Sequence, residues 1–168
     1  MGKKRTMSLQ KLDRNELAAA NINPETGLAT DYLNHFNEVA MLIDMLSSMP
    51  DVAEDILEWR PITYAEHFLV TGFRAKELAI EAFQNCDPGV RERFEIACGK
   101  VEAGVAEIQS RLQGGAEALP DASERAADLY KRISEVGGVI NPSGEAWNDQ
   151  LWTEDNADDQ AAVDALFD

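Results

Sequence analysis

The chain has 168 residues, a length that suits one domain. Because 45% of the residues are hydrophobic, the chain is not expected to be disordered over its whole length. Its 31 acidic and 15 basic residues give a net charge of −16. This balance disfavours nucleic acid and anionic membranes as partners, because both require clustered Lys and Arg.

The chain begins with a basic segment. Residues 1–14 carry a net charge of +4, and no apolar stretch follows them that would mark a secretory signal. The longest uninterrupted apolar run, residues 39–43, is too short to cross a membrane. We therefore predict a cytoplasmic protein whose residues 1–23 form a disordered basic arm.

The middle of the chain has helical periodicity in four segments, and no segment alternates like a strand. The four segments span residues 27–48, 63–85, 87–112 and 121–136, and a short helix at 51–59 is predicted to follow the first. A capping box from Thr63 to Glu66 begins the second helix, and Asp87-Pro88 begins the third. Three long helices and a lighter fourth predict an all-α, antiparallel helical bundle at residues 24–137.

Both histidines occur in the same local pattern. The two copies are Tyr32-Leu33-Asn34-His35-Phe36 and Tyr64-Ala65-Glu66-His67-Phe68. One interpretation is a metal or haem site built from His35 and His67, although the Glu-x-x-His spacing of di-metal bundles is missing. Phosphotransfer is disfavoured because neighbouring carboxylates would repel a phosphate. We favour a third interpretation, in which each ring N–H bonds an acceptor at a helix seam, and we expect no cofactor.

The two cysteines, Cys86 and Cys98, lack the paired spacing of a zinc site or a disulfide framework. We predict that both are small buried or half-buried side chains.

The end of the chain is acidic. Residues 141–168 carry a net charge of −8 and no basic residue, and Gly137-Gly138 precedes them. Self-repulsion predicts a flexible acidic tail at residues 138–168. Apolar side chains return at helical spacing at its end, where Val163, Leu166 and Phe167 share one face of a short amphipathic helix. Such a face suits either a groove on a partner or the protein's own bundle.

This last segment resembles the receiver-binding peptides of bacterial chemotaxis, found in the phosphatase CheZ and the flagellar switch protein FliM. Their shared pattern is an acidic residue or Ser, then Gln, two variable residues, Ile or Val, Asp, one variable residue, Leu and a large apolar residue. The matching segment here is Asp159-Gln160-Ala161-Ala162-Val163-Asp164-Ala165-Leu166-Phe167. The resemblance implies a CheY-like receiver domain as partner. It also implies that Gln160, Val163, Asp164, Leu166 and Phe167 make the contacts.

The catalytic part of the phosphatase is not matched. CheZ carries Asp-x-Thr-Gly-Gln on its active helix, and the nearest string here places Leu69 and Phe73 at the Asp and Gln positions. Chemotaxis phosphatases of the CheC and CheX type use Glu-x-x-Asn, of which Glu81 and Gln84 form a loose analogue. Asn34 with Glu38 is a second carboxylate–amide pair. If the protein is an enzyme, it is expected to be an aspartyl-phosphate phosphatase using one of these pairs.

The sequence thus predicts a signalling protein that binds a CheY-like receiver through its C-terminal helix, as a phosphatase-like or sequestering regulator. The alternatives are a bundle with a paired His/Tyr metal or haem site and a scaffold bundle without a ligand. The oligomeric state stays open, a homodimer included.

Overall fold

The computed structural model describes residues 9–71 and 74–144, except for the side chain of residue 10. Within these residues the protein is all-α, as predicted, and its one β-feature is an isolated bridge between Ile22 and Ala29. The α-helices are α1 (Arg14–Ala19), α2 (Leu33–Met45), α3 (Ala53–Glu58), α4 (Tyr64–Val70), α5 (Lys76–Gln84), α6 (Pro88–Leu112) and α7 (Ala122–Ile140). In the described part of the chain, no helix is long and apolar enough to cross a membrane.

The core lies where α7 packs against both α2 and α6. Gly104 of α6 permits a close approach there, because a Cβ at this position would lie 2.9 Å from side-chain atoms of Leu129 and Arg132 on α7. The core side chains of these three helices that are fully or almost fully buried include Phe36, Val39 and Ile43 of α2, Val101, Val105 and Ile108 of α6, and Leu129, Ile133 and Val136 of α7. Hydrogen bonds also connect α6 to the end of α3, because the Gln109 amide donates to the carbonyls of Ile56 and Trp59.

Residues 9–23, expected in a disordered arm, belong to the fold. Asp13 caps α1 by accepting hydrogen bonds from the backbone N–H groups of Asn15 and Glu16. Leu17 and Ile22 are completely buried. The apolar positions in this segment are too few to predict a helix by periodicity, and the net positive charge of residues 1–14 is typical of a solvated arm.

The second predicted helix is divided into two. The capping box is confirmed, because Glu66 N donates to Thr63 Oγ1 at 3.1 Å and Thr63 N donates to Glu66 Oε1 at 3.4 Å. However, α4 ends at Val70, and Thr71 has extended backbone angles (φ −85°, ψ 160°). β-Branched Val and Thr followed by Gly form a weak helical stretch. The break allows α4 and α5 to pack against each other.

The predicted ends of two other helices also shift. The first long helix begins at Leu33 rather than at residue 27, after a 3-10 turn at Thr30–Tyr32. The last helix continues through the glycine pair to Ile140, where the Asn23 amide and the Thr26 hydroxyl donate to the Ile140 carbonyl at 2.9 and 2.8 Å. These bonds satisfy a helix-end carbonyl that would otherwise be buried without a partner, which offsets the weak helical preference of glycine. The third helix begins as predicted, with Asp87 as its cap.

Candidate functional site

The two Tyr-x-x-His-Phe repeats face each other. The rings of Tyr32 and Tyr64 are in tilted contact with their centroids 5.4 Å apart. The Tyr32 hydroxyl donates to the Ile62 carbonyl at 2.6 Å, and the Tyr64 hydroxyl accepts from the Ala29 N–H at 2.8 Å. Each tyrosine therefore bonds the backbone just before the other repeat.

The histidines extend this reciprocal arrangement. His35 Nε2 donates to the Arg60 carbonyl at 2.8 Å, and the imidazole stacks on Trp59 at 4.6 Å. Burial lowers the pKa of His35, partly offset by the bond to the Arg60 carbonyl. His67 Nε2 lies 2.9 Å from Asp31 Oδ2, and the His67 side chain is only 5% exposed. Both rings thus bond to the segment that precedes the other repeat.

These bonds bear on the metal or haem alternative. The Nε2 atoms of His35 and His67 are both engaged with protein acceptors. Across residues 9–71 and 74–144, no three His, Cys, Asp or Glu side chains form a group that could hold a metal ion. The geometry therefore favours a structural role for both histidines.

An open cleft of about 950 Å³ lies beside the Asp31–His67 pair. The Asn34 amide donates to Asp31 Oδ1 at 3.2 Å, so Asn34, Asp31 and His67 form a chain of hydrogen bonds along the cleft. The Thr71 hydroxyl also lines the cleft, is buried and has no partner among the described residues. No nucleophile bonded to His67 is present among those residues, so the cleft offers polar contacts for a ligand rather than an assembled nucleophile–base pair.

Sequence reasoning missed Asp31 and Thr71. The available signal for Asp31 was an asymmetry between the repeats, since an acid precedes Tyr32 whereas Thr63 precedes Tyr64. Thr71 matches the Thr of the CheZ motif, but the sequence did not indicate that its hydroxyl is buried at the cleft, because that burial depends on the break between α4 and α5.

The four candidate catalytic residues lie on two helices. Asn34 and Glu38 are exposed on α2, and only Asn34 lines the cleft, where its amide is bonded to Asp31. Glu81 is partly buried and Gln84 is exposed near the end of α5. Glu38, Glu81 and Gln84 do not line this cleft.

Both cysteines are buried free thiols, as predicted. Burial is the main reason that the pKa of Cys98 is raised to about 12. The five predicted contact residues of the tail, Gln160, Val163, Asp164, Leu166 and Phe167, lie outside the described residues.

Comparisons of the chain with protein-family models, with curated protein sequences and with solved structures find no match. The functional argument therefore depends on the residues and geometry described above.

Proposed function

We propose that this chain is a cytoplasmic signalling protein that binds a CheY-like receiver domain through residues 159–167. The observation that carries the proposal is the nine-residue pattern from Asp159 to Phe167, with acid, Gln, Val, Asp, Leu and Phe at the positions of the receiver-binding peptides. Three apolar side chains on one helical face suit a groove on a folded partner.

The bundle gives this peptide a fixed attachment point. The hydrogen bonds of Asn23 and Thr26 to the Ile140 carbonyl hold the end of α7. Residues 145–158, fourteen in number, lie between Gly144 and Asp159, and a fully extended chain spans about 50 Å from Gly144 to Asp159. A tether of this size gives effective concentrations on the order of millimolar. A receiver bound to the tail is thereby held near the bundle, which we propose to be antiparallel and to act as a second, weaker docking surface.

We propose sequestration rather than catalysis as the outcome of binding. The Asp and Gln that orient water in CheZ are replaced by Leu69 and Phe73. Leucine and phenylalanine carry no hydrogen-bonding group that could position an attacking water. We therefore expect the lifetime of the phosphorylated receiver to be unchanged by a saturating amount of the full chain. If it is shortened, Asn34→Ala and Gln84→Ala variants would show which carboxylate–amide pair is responsible.

The binding test uses the full chain and fluorescently labelled CheY-like receivers from the same genome, with and without beryllofluoride. We expect saturable binding that strengthens on activation and is lost in a Leu166→Ala/Phe167→Ala variant. The matched control is Leu151→Ala/Trp152→Ala, which removes two large apolar side chains from the tail outside the motif. No binding to any receiver, or equal loss in the control, would contradict the proposal.

A further inference from the structure

A second groove, of about 530 Å³, lies where the first turn of α4 faces α6. Its inner wall is aromatic and consists of Tyr32, Tyr64, Phe83 and Phe94, whose rings are in mutual contact at centroid distances of 4.5–6.0 Å. The volume lies within the range of small-ligand sites, which combine apolar walls with a few polar groups.

The charged side chains that line this groove are all acidic. Glu66 projects from α4, and Glu95 and Glu102 project from α6. None of the three is ion-paired within residues 9–71 and 74–144, and none of the residues described as lining the groove is Lys or Arg. The residues that line the groove therefore place three carboxylates, and no Lys or Arg, beside an apolar wall.

Two side chains at the groove, Glu102 and Cys98, have raised pKa values. Burial raises the pKa of the Glu102 carboxyl, because no cation offsets the loss of hydration. After burial itself, the charges of Glu102 and Glu95 are the further causes of the raised pKa of Cys98, which lies between them on α6. A bound cation would relieve both effects.

The spacing of the carboxylates indicates the length of the ligand. Glu95 and Glu102 are seven residues apart on α6 and thus lie on one face, separated by about 10.5 Å along the axis. This separation of the two backbone positions is similar to the extended span between the end nitrogens of a triamine with three- and four-carbon spacers. Glu66 faces them from α4. The aromatic wall already takes part in one cation contact, since the Arg91 guanidinium lies 4.7 Å from the Phe83 ring centroid.

We propose that this groove binds an aliphatic polyamine of the spermidine class, with its end ammonium groups at Glu95 and Glu102 and its methylene chain along the aromatic wall. The site is independent of the proposed receiver-binding tail.

The test is isothermal titration calorimetry of the full chain with spermidine at constant ionic strength. We expect one saturable site. In a Glu95→Gln/Glu102→Gln variant the affinity falls by about tenfold or more, because two charge-assisted hydrogen bonds are lost. The matched control, Glu54→Gln/Glu92→Gln, removes the same charge from exposed positions outside the groove and changes the affinity by less than about twofold. Circular dichroism confirms that both variants are folded.

Three further measurements separate this site from general attraction to an acidic protein. Putrescine, which cannot reach both end carboxylates, is expected to bind about tenfold more weakly. Equal weakening in the control variant, or displacement of spermidine by Mg²⁺ at matched ionic strength, would mean that only the net charge attracts the ligand. A chain without residues 1–8 is expected to bind spermidine with unchanged affinity. Binding that appears only in this shortened chain would identify the basic end as the occupant and overturn the proposal.

Discussion

Replacing Gly27 by alanine tests the conformation of the loop between α1 and α2. This loop contacts the end of α7 through hydrogen bonds to the Ile140 carbonyl. Gly27 has φ +77°, a left-handed conformation that alanine adopts at a cost. A Cβ at this position would lie 2.9 Å from the carbonyl oxygen of Ala82 on α5 and 3.1 Å from a methyl group of Leu9. The same loop carries Thr26, whose hydroxyl bonds the Ile140 carbonyl.

The expected loss of stability follows from these contacts. Alanine in the left-handed region costs about 1–2 kcal/mol. The close approach to a backbone oxygen cannot be relieved by a side-chain rotation, so the loop or α5 must shift. Weakening one buried hydrogen bond then costs about 1 kcal/mol more. The smaller entropy of the unfolded variant returns about 0.5 kcal/mol. We therefore expect Gly27→Ala to lower the free energy of unfolding by about 1.5–2.5 kcal/mol.

The assay is urea denaturation followed by far-ultraviolet circular dichroism, with Gly99→Ala as the control. Gly99 is an exposed residue inside α6, and a Cβ there would meet nothing within 4 Å. The same chemical change at Gly99 should raise stability by about 0.5–1 kcal/mol, because alanine is the better helix former. Equal urea midpoints for Gly27→Ala and the parent chain would refute the loop geometry.

Three further predictions concern single side chains. Burial lowers the pKa of His35 in the folded chain, so the unfolded chain takes up a proton at a higher pH than the folded chain does. The contribution of neutral His35 to the free energy of unfolding should therefore be fully present above about pH 6.5 and should be lost as the pH falls below it. His35→Gln should flatten this part of a plot of urea midpoint against pH, and an identical slope in variant and parent would contradict the assignment. Burial raises the pKa of Cys86 and Cys98. Both thiols should therefore resist iodoacetamide at neutral pH in the folded chain and react once the chain is unfolded, as measured by mass spectrometry. Rapid labelling of the folded chain would contradict the burial of the two thiols. Asn23→Ala should cost about 1–3 kcal/mol by leaving buried polar groups with fewer partners, and amide exchange at the end of α7 should accelerate; unchanged exchange there would show that the bond to Ile140 contributes nothing.

The elements that could be predicted from the sequence are those whose signals are local. The start of α6 is an example, since Asp87-Pro88 supplies a cap and a fixed backbone angle within two residues. The capping box that begins α4 is another. In each case the partner that satisfies the backbone is at most three residues away, so no tertiary information is required.

Elements held by distant partners could not be predicted in this way. The amide of Asn23 lies 117 residues along the chain from the Ile140 carbonyl that it bonds. Asp31 is 36 residues from His67, and neither position reveals the other. The apolar pattern between residues 63 and 85 continues through Thr71 and therefore predicts one helix. It gives no sign of the break at Thr71 that allows α4 and α5 to pack against each other. For the candidate site, the sequence identified His67 but not the carboxylate that holds it.

Contacts between residues that are distant in the sequence place Leu9 and the end of α7 against the same loop. Leu9 lies against Gly27, and the adjacent Thr26 bonds Ile140, so the described structure begins beside the end of α7. The basic residues that precede Leu9 and the acidic residues that follow Gly144 are thus attached at neighbouring points of the bundle. At low ionic strength they attract each other over several tens of ångströms, whereas at physiological salt the screening length is about 8 Å. Under the proposed function, a receiver would compete with this attraction for the acidic tail, so its apparent affinity should depend less steeply on salt than that of an isolated tail peptide.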